Sequence, residues 1–566
     1  MGIHSVEKDS RVTNRRETAL DFLWLLIFGT ASAWYCISAA HALSATFDEP
    51  TYLRLGLEHW RTGSCRALMK LGTMPLAVDL QALPLFLWEK WSGLTIDSVR
   101  DLPWALPWAR ATTLIFWWTL LIYAFRAGHA LAGSWGGRLA VAIIAVEPVF
   151  LAHATLATSD LAVTACLLVF LFEFRAHRDQ HWPRRVFLPA VLYGIAILAK
   201  ASALVFGVIG MLAIELERLI AAGLLRDWRS QLVALRPFFR DVVVIVAGGL
   251  GVTFLYCWSD WATEPTFIEW AQTLAPGVFR NCMIWTSEHL HIFSNAGEGL
   301  VQQIKHNLRG HNAYLFGTAY RRGVWYYFPV ALAIKTTLPL LLLPVIVALV
   351  RSRALWNWAS CAALALLIFS VRCRVQIGVR FMLPLLALLA IGMAIAVVQS
   401  CRQLTLPRRN LLILLLVTGL FCNIAAAARV WPEALCYTNA AWGGTHKGYR
   451  WLSDSNYDWG QGLLELDEWR RRHDVDQMYV WYFGSDPRVE AAPFQLLKLH
   501  SAGWLGGHTP AEITRGHCVA VSATFLYGAY ARGPLAGRAA LDFFEGQQPS
   551  DRTATFFIYD FRAQKP

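Results

Sequence analysis

Charge is scarce in this chain. Asp, Glu, Lys and Arg make up 16% of its 566 residues, and 56% are hydrophobic, against roughly a quarter charged in soluble domains. Such a composition argues against a single water-soluble core. Three catalytic signatures are also missing: a G-x-x-x-x-G-K-[ST] phosphate loop, a G-x-S-x-G elbow and an H-E-x-x-H pair. Nucleotide hydrolysis, serine chemistry and zinc proteolysis therefore lack support. The eleven Cys are an odd number without C-x-x-C spacing. Those in apolar runs, such as Cys166, Cys361 and Cys422, read as small core residues. Internal repeats and low-complexity segments are absent as well. The net charge of +12 does not point to nucleic acid, because the basic residues gather in short loops between apolar runs.

What the chain has is length in those runs. Stretches of about 20 apolar residues recur, each able to cross a hydrocarbon layer roughly 30 Å thick. The 26 Trp suit the aromatic belts of a membrane protein. The expected architecture is a polytopic α-helical membrane protein of about eleven spans. It comprises a cytoplasmic N-terminus (1–19), a transmembrane domain (20–430) and a small extracytoplasmic α/β domain (431–566). The basic start, with Arg15 and Arg16, lies in the cytoplasm. The first run, Leu20–Leu43, has no convincing small-residue cleavage site and reads as a retained span.

Two external loops follow from the charge alternation, 44–103 and 259–324. In the first, Tyr52, Leu53, Leu57 and Trp60 oppose Arg54, Glu58 and Arg61, the pattern of an interfacial amphipathic helix. A second such segment, Ala77 to Trp88, opens at Met74-Pro75-Leu76. Val186 to Leu216 is long for one crossing and basic at both flanks (Arg184 and Arg185; Arg218, Arg226, Arg229, Arg236 and Arg240). It reads as a hairpin of two short helices with Lys200 at its outer tip. In the tail, a charged helix (Gly460 to Arg472) follows Asp454-Ser455-Asn456-Tyr457-Asp458-Trp459. Met478–Phe483, Cys518–Phe525 and Thr553–Tyr559 are β-rich. Asp454 and Asp458 read as turn and helix caps.

Some charges break the rules of this topology. Asp48, Glu49 and Asp160 lie at the outer boundary of spans, where a carboxylate beside lipid is costly. Lys200, Lys335, Arg372, Arg374 and Arg380 lie at the same level, where the inside bias leaves few positive charges. Singly, each basic residue reads as a snorkelling anchor; together they suggest chemistry. Lys and Arg can hold a lipid phosphate, Arg bidentately. A carboxylate beside them can take a proton from an acceptor hydroxyl, while the cations stabilise the departing phosphate. This describes transfer of a group from a polyprenyl-phosphate carrier to an acceptor outside the membrane. A transporter or flippase of a lipid-linked sugar could share the basic residues, but its inverted repeats are not visible. A scaffold subunit would explain the tail without the gathered charges.

The motifs, in order, resemble those of the membrane-embedded GT-C glycosyltransferases of the family 39 type, which includes protein O-mannosyltransferases and lipid A aminoarabinose transferases. They are Phe47-Asp48-Glu49; Ala152-His153-Ala154 with Ala157-Thr158-Ser159-Asp160; Leu198-Ala199-Lys200; Gly310-His311-Asn312; Trp325-Tyr326-Tyr327-Phe328-Pro329 with Lys335-Thr336; Gly378-Val379-Arg380; and Asp454 to Gln461. The family's His-Pro-Pro is reduced here to Thr73-Met74-Pro75. The resemblance implies an inverting transfer from a polyprenyl-phospho-sugar. Asp48 would be the general base, Asp160 a second active-site acid and Glu49 their positioning or capping partner. Lys200, Lys335 and Arg380, with Arg374 of the same basic cluster, would bind the carrier phosphate. His153, His311 and Lys70 are further candidates for substrate contact. No cofactor is implied, and a divalent metal is left open. The implied partners are the lipid-linked sugar donor, a lipid, glycan or protein acceptor, and membrane lipids. The implied location is a bacterial inner membrane, with the site facing the periplasm.

Overall fold

The computed structural model describes residues 3–223, 228–263, 265–289, 291, 295–532 and 535–563; Arg226 lies outside them. Six of the described helices are long and apolar enough to cross a membrane, and a seventh crossing results if the bent pair Ser134–Val146 and Pro148–Ala154 counts as one. The protein is a multi-pass helical membrane protein. The first span is the apolar end of a helix running Ile3–Ala42, so the segment expected as a tail is helical from Ile3. The count of about eleven also includes Asp160–Ala176, Leu188–Ala199, Ala203–Ala221 and Trp358–Ser370, which length and composition alone do not assign as crossings.

The central helix is Leu383–Cys401. Together with the turn before it, 83% of its most apolar window is buried, against 17–39% for the other five long helices. A helix apolar all round belongs inside a bundle.

Several helices are interrupted, and the interruptions carry polar residues. At one, Glu147 accepts hydrogen bonds from the Thr337 amide (3.0 Å) and hydroxyl (2.6 Å). That carboxylate joins the 69° bend after Val146 to the break between Tyr327–Lys335 and Leu338–Arg351. Non-helical backbone at membrane depth persists only where protein groups satisfy it in this way. The expected hairpin is present as Leu188–Ala199 and Ala203–Ala221. The Tyr193 hydroxyl donates to the Leu204 carbonyl, and a side chain on Gly207 would strike the Tyr193 ring. In one straight helix those eleven residues would separate the two groups by about 16 Å.

Both long loops are folded. The first holds helices Glu49–Thr62 and Pro75–Ser92, packed where Gly56 lies against Val78 and Ala82. The second holds Pro265–Gln272, Val278–His289, Ala296–Arg309 and a hairpin of β1 (Ala313–Leu315) and β2 (Thr318–Tyr320).

The C-terminal residues form helix Leu463–Arg472 and five strands: β3 (Met478–Trp481), β4 (Phe494–Leu496), β5 (Cys518–Ser522), β6 (Asp551–Arg552) and β7 (Phe556–Asp560). Their order is β4-β3-β5-β7-β6, with β3 parallel to both neighbours and β7 antiparallel to β5 and β6.

Lys335 ties this region to the bundle. Its ammonium donates to the carbonyls of Leu435, Tyr437 and Asn456. An ammonium has three N–H groups, so none remains for a phosphate. The expectation that Lys335 binds the carrier is therefore corrected: it is a structural tie. Lys335→Met should leave three buried carbonyls without a donor and cost about 3 kcal/mol or more. The expected result is faster trypsin cleavage at Lys447 and Arg450 in detergent-solubilised protein, and an unchanged rate would remove this role.

Candidate active site

Each residue of the charged cluster stands at the end of a helix, where the backbone turns and a side chain is free to point along the axis. Asp48 immediately precedes helix Glu49–Thr62, with Pro50 in its first turn, yet its carboxylate makes no cap bond. An N-cap Asp would ordinarily accept a backbone N–H of that turn; here it reaches Arg380 Nη1 at 3.2 Å instead. Asp160 is the first residue of Asp160–Ala176. Lys200 occupies the extended break of the hairpin. Arg380 lies in the short turn Val379–Met382 that leads into the central helix.

These four side chains meet. Lys200 Nζ donates to Asp160 Oδ1, and Arg380 Nη1 lies 3.6 Å from Asp160 Oδ2, so Arg380 bridges the two acids. Two carboxylates face two cations, a balance that relieves the cost of burying charge. The acids differ in access: the Asp48 side chain is 25% exposed and that of Asp160 1%. Aromatic rings floor the cations, with Trp459 4.2 Å from the Arg380 guanidinium and Phe381 4.4 Å from Lys200 Nζ, a favourable contact for a desolvated cation. Tyr52 approaches Asp48 Oδ2 at 3.5 Å.

Three polar atoms here are buried without a hydrogen-bond partner: Asp160 Oδ2, Arg380 Nε and His153 Nδ1. Buried polar atoms are rarely left so; others lie elsewhere among the described residues, such as Arg175 Nε and Arg218 Nη1. Among the described residues, no group of three or more His, Cys, Asp or Glu side chains is arranged to hold a metal ion.

Glu49 is not part of this group. It is wholly buried, and both its oxygens bind Arg110, at 2.8 Å to Nε and 2.7 Å to Nη2. Arg110 spends its other N–H groups on the carbonyls of Ala40, Leu43 and Ser44. Glu49 also accepts the amides of Thr46 and Ala157, each at 2.8 Å. Its placement among catalytic residues is corrected: it pins the Asp48 loop to the loop that leads into Asp160.

The remaining candidates scatter. Arg374 is exposed, and its guanidinium donates to the Leu308 carbonyl at the end of helix Ala296–Arg309 (3.3 Å), a customary place for a cation. It is not brought to the cluster. Lys70 is exposed at the end of its short helix and forms no ion pair with the cluster. His153 is buried beside the cluster, within electrostatic reach of Asp160 and Arg380. His311 stands at the rim, its ring 6.0 Å from that of Tyr530.

The tail supplies residues that the sequence did not single out. Asp454, read as a cap, instead has left-handed backbone (φ 59°) and accepts the Tyr530 hydroxyl at 2.7 Å. Burial raises its carboxyl above the usual range, against the pull of Arg380 and the Tyr530 bond. Tyr530 packs on Phe483 (4.7 Å), which stacks on Phe47 beside Asp48 (5.4 Å). Asp458 does act as a local cap, accepting the amides of Gly460 (3.1 Å) and Thr524 (3.0 Å). A cavity of about 1570 Å³, lined by Leu338, Leu342, Leu416, Arg429, Glu465 and Arg552 among others, lies elsewhere: none of the four clustered charges borders it.

No family model and no curated protein matches the chain. Among solved structures it is similar to ArnT from Cupriavidus metallidurans bound to undecaprenyl phosphate, with 13% identity, 94% of this chain and 97% of that one covered, and a TM-score of 0.42. It is also similar to the archaeal oligosaccharyltransferase AglB from Archaeoglobus fulgidus in complex with an inhibitory peptide and a dolichol-phosphate (12% identity, 96% and 75% covered, TM-score 0.44). At such scores the overlap is too loose to carry residue roles from one chain to another.

Glu49→Ala would leave the Arg110 guanidinium buried without its counter-ion and should destabilise the protein by about 3–5 kcal/mol. Asp48→Asn, at a partly exposed pair, should cost far less. Thermal unfolding of the two purified variants checks this ordering, and equal melting temperatures would refute it.

Proposed function

We propose that this protein is a glycosyltransferase that moves a sugar from a polyprenyl-phosphate carrier to an acceptor at the extracytoplasmic face of the membrane, with inversion at the sugar carbon. The observation that carries the reading is the Asp48–Arg380–Asp160–Lys200 cluster with its orphaned Asp160 Oδ2 and Arg380 Nε. The resemblance of the ordered motifs to the family 39 type supports it. About eleven crossings, divided from the tail near residue 430, and a bacterial inner membrane belong to the same proposal.

The carrier phosphate enters against Arg380 and Lys200, the two cations able to bind it. Arg380 then shares its charge with the phosphate and loosens its hold on Asp48. Asp160 is buried and remains the anchor of both cations, so Asp48 is the carboxylate an acceptor can reach. The acceptor oxygen forms its bond to the anomeric carbon as the bond to the phosphate oxygen breaks. Asp48 takes the acceptor's proton. The second negative charge on the leaving phosphate develops beside Arg380 and Lys200, which stabilise it. Asp454 and Tyr530, with His311 behind them, form the wall facing Asp48 and orient hydroxyls of the sugar or acceptor. The acceptor is a lipid, glycan or protein, and its choice rests on the two long loops.

Asp48→Asn should lower sugar transfer at least about 100-fold while carrier binding persists; full activity would remove Asp48 from the mechanism. Arg380→Ala should weaken carrier-phosphate affinity by about 2 kcal/mol, roughly thirty-fold. Unchanged affinity would refute that assignment. Mass spectrometry of envelope glycans and lipid-linked sugars, with and without the gene, tests the activity itself. Sugar that crosses the membrane but is never attached would establish transport instead.

A further inference from the structure

A second polar cluster lies apart from the charged site, on the far side of the first long loop. Cys65 precedes the short helix Arg66–Lys70, and Cys257 ends the helix Trp228–Cys257; both are buried, at 0% and 1% exposure. The Cys65 thiol lies within electrostatic reach of the Cys257 thiol. Their backbones are held together independently of the sulfurs. The Ser64 hydroxyl donates to Asp260 Oδ2 at 2.7 Å, and the Asn295 amide donates to the Cys257 carbonyl at 2.8 Å.

A relay ends on this pair. Tyr256 donates to Asp79 Oδ2 (2.7 Å), Asp79 Oδ1 binds His59 Nδ1 (2.8 Å), and His59 Nε2 lies 3.1 Å from Cys65 Sγ. The contact with Cys257 and burial push the Cys65 thiol up, against the smaller pull of His59, so Cys65 rests as a thiol. Because both sulfurs are buried, no substrate can reach this thiol in the closed structure. Its one neighbour with matching chemistry is the other thiol. None of Asp48, Asp160, Lys200 or Arg380 belongs to the relay.

We propose that Cys65 and Cys257 are the partners of a disulfide bond that fastens the first long loop to the start of the second. This rests on the proposed orientation, which puts both loops on the oxidising side of the membrane, where disulfides persist. The oxidant is a protein disulfide donor of the envelope, acting as the loop closes. While the loop is still open, the Cys65 thiol loses its proton to solvent, and the thiolate attacks one sulfur of the donor disulfide and releases one donor thiolate. The Cys257 thiolate then attacks Cys65 Sγ and displaces the other. Two chain thiols lose two electrons, the donor disulfide gains them to become a dithiol, and the two protons pass to the donor.

The test uses the full chain in intact cells. An impermeant maleimide first labels exposed thiols from outside, with the exposed Cys282 of the second loop as the marker of sidedness. Acid quenching, denaturation, alkylation and non-reducing peptide mass mapping follow. The expected result is Cys282 labelled from outside, with the Cys65 and Cys257 peptides recovered as one linked species that separates on reduction. Cys65→Ser should leave Cys257 alkylated. It should also abolish the fall in melting temperature that a reductant causes in the parent protein. Labelled Cys282 with both Cys65 and Cys257 alkylated would overturn the disulfide and leave the orientation standing. Unlabelled Cys282 with all three thiols free would overturn both.

Discussion

The structure depends on how the stretch Asp454–Gln461 is threaded among the helix ends. The Trp459 carbonyl accepts the Phe47 amide at 2.9 Å, and the Gln461 carbonyl accepts that of Ser44, also at 2.9 Å. The Asn456 side chain accepts the Val379 amide at 2.8 Å and donates to the Tyr327 hydroxyl at 3.0 Å, and its carbonyl accepts a hydrogen bond from Lys335. Ser455 hydrogen-bonds the Ile377 carbonyl at 2.6 Å, and a side chain on Gly378 would strike its hydroxyl. One short segment thus fixes the loop that holds Asp48, the broken helix that holds Lys335 and the turn that holds Arg380. Interrupted helices expose backbone groups that lipid cannot satisfy; here the tail satisfies them.

That arrangement explains how four charges can be gathered at a membrane helix bundle. Each comes from a helix end rather than a helix flank, so none has to face hydrocarbon. Arg380 counters both carboxylates, and Trp459 from the tail covers its face. The cluster pairs two carboxylates with two cations, so a phosphate bound there, as proposed, would compete with Asp48 and Asp160 for the same two cations. Burial separates the two acids: Asp160 holds cations, and Asp48 remains reachable.

Much of this was legible in the sequence where the signal was local. Long apolar runs marked the spans, and a lysine inside an overlong run with basic flanks marked the hairpin at Lys200. Adjacent Asp48 and Glu49 point apart, to Arg380 and Arg110, as neighbours about 100° apart in a helical turn do. The cases that misled share one cause. Lys335 looked like a phosphate ligand because its span offers no carboxylate; its partners are carbonyls from the tail, and carbonyls leave no trace in composition. Arg374 looked like part of a basic cluster because it is near Arg380 in sequence, but a helix from the second loop claims it. Tyr530 is one aromatic among many, distant from every motif, and only the folded tail brings it to Asp454. The count of crossings was least secure where helices are broken, since short segments lack the length signal.

Glu49 gives the scaffold a further property. The same carboxylate binds Arg110, the amide beside Asp48's loop at Thr46 and the amide of Ala157, three residues before Asp160. The separation of the two acids is therefore set by a third that takes no part in their chemistry, much as a gauge block sets the gap between two jaws. Its hydrogen bonds have short, directional ranges, so the tolerance on that gap is tight. Under the proposed function, changes in the loops expected to meet acceptors could accumulate without altering it, and one scaffold could serve different acceptors while the spacing of the two carboxylates stays fixed.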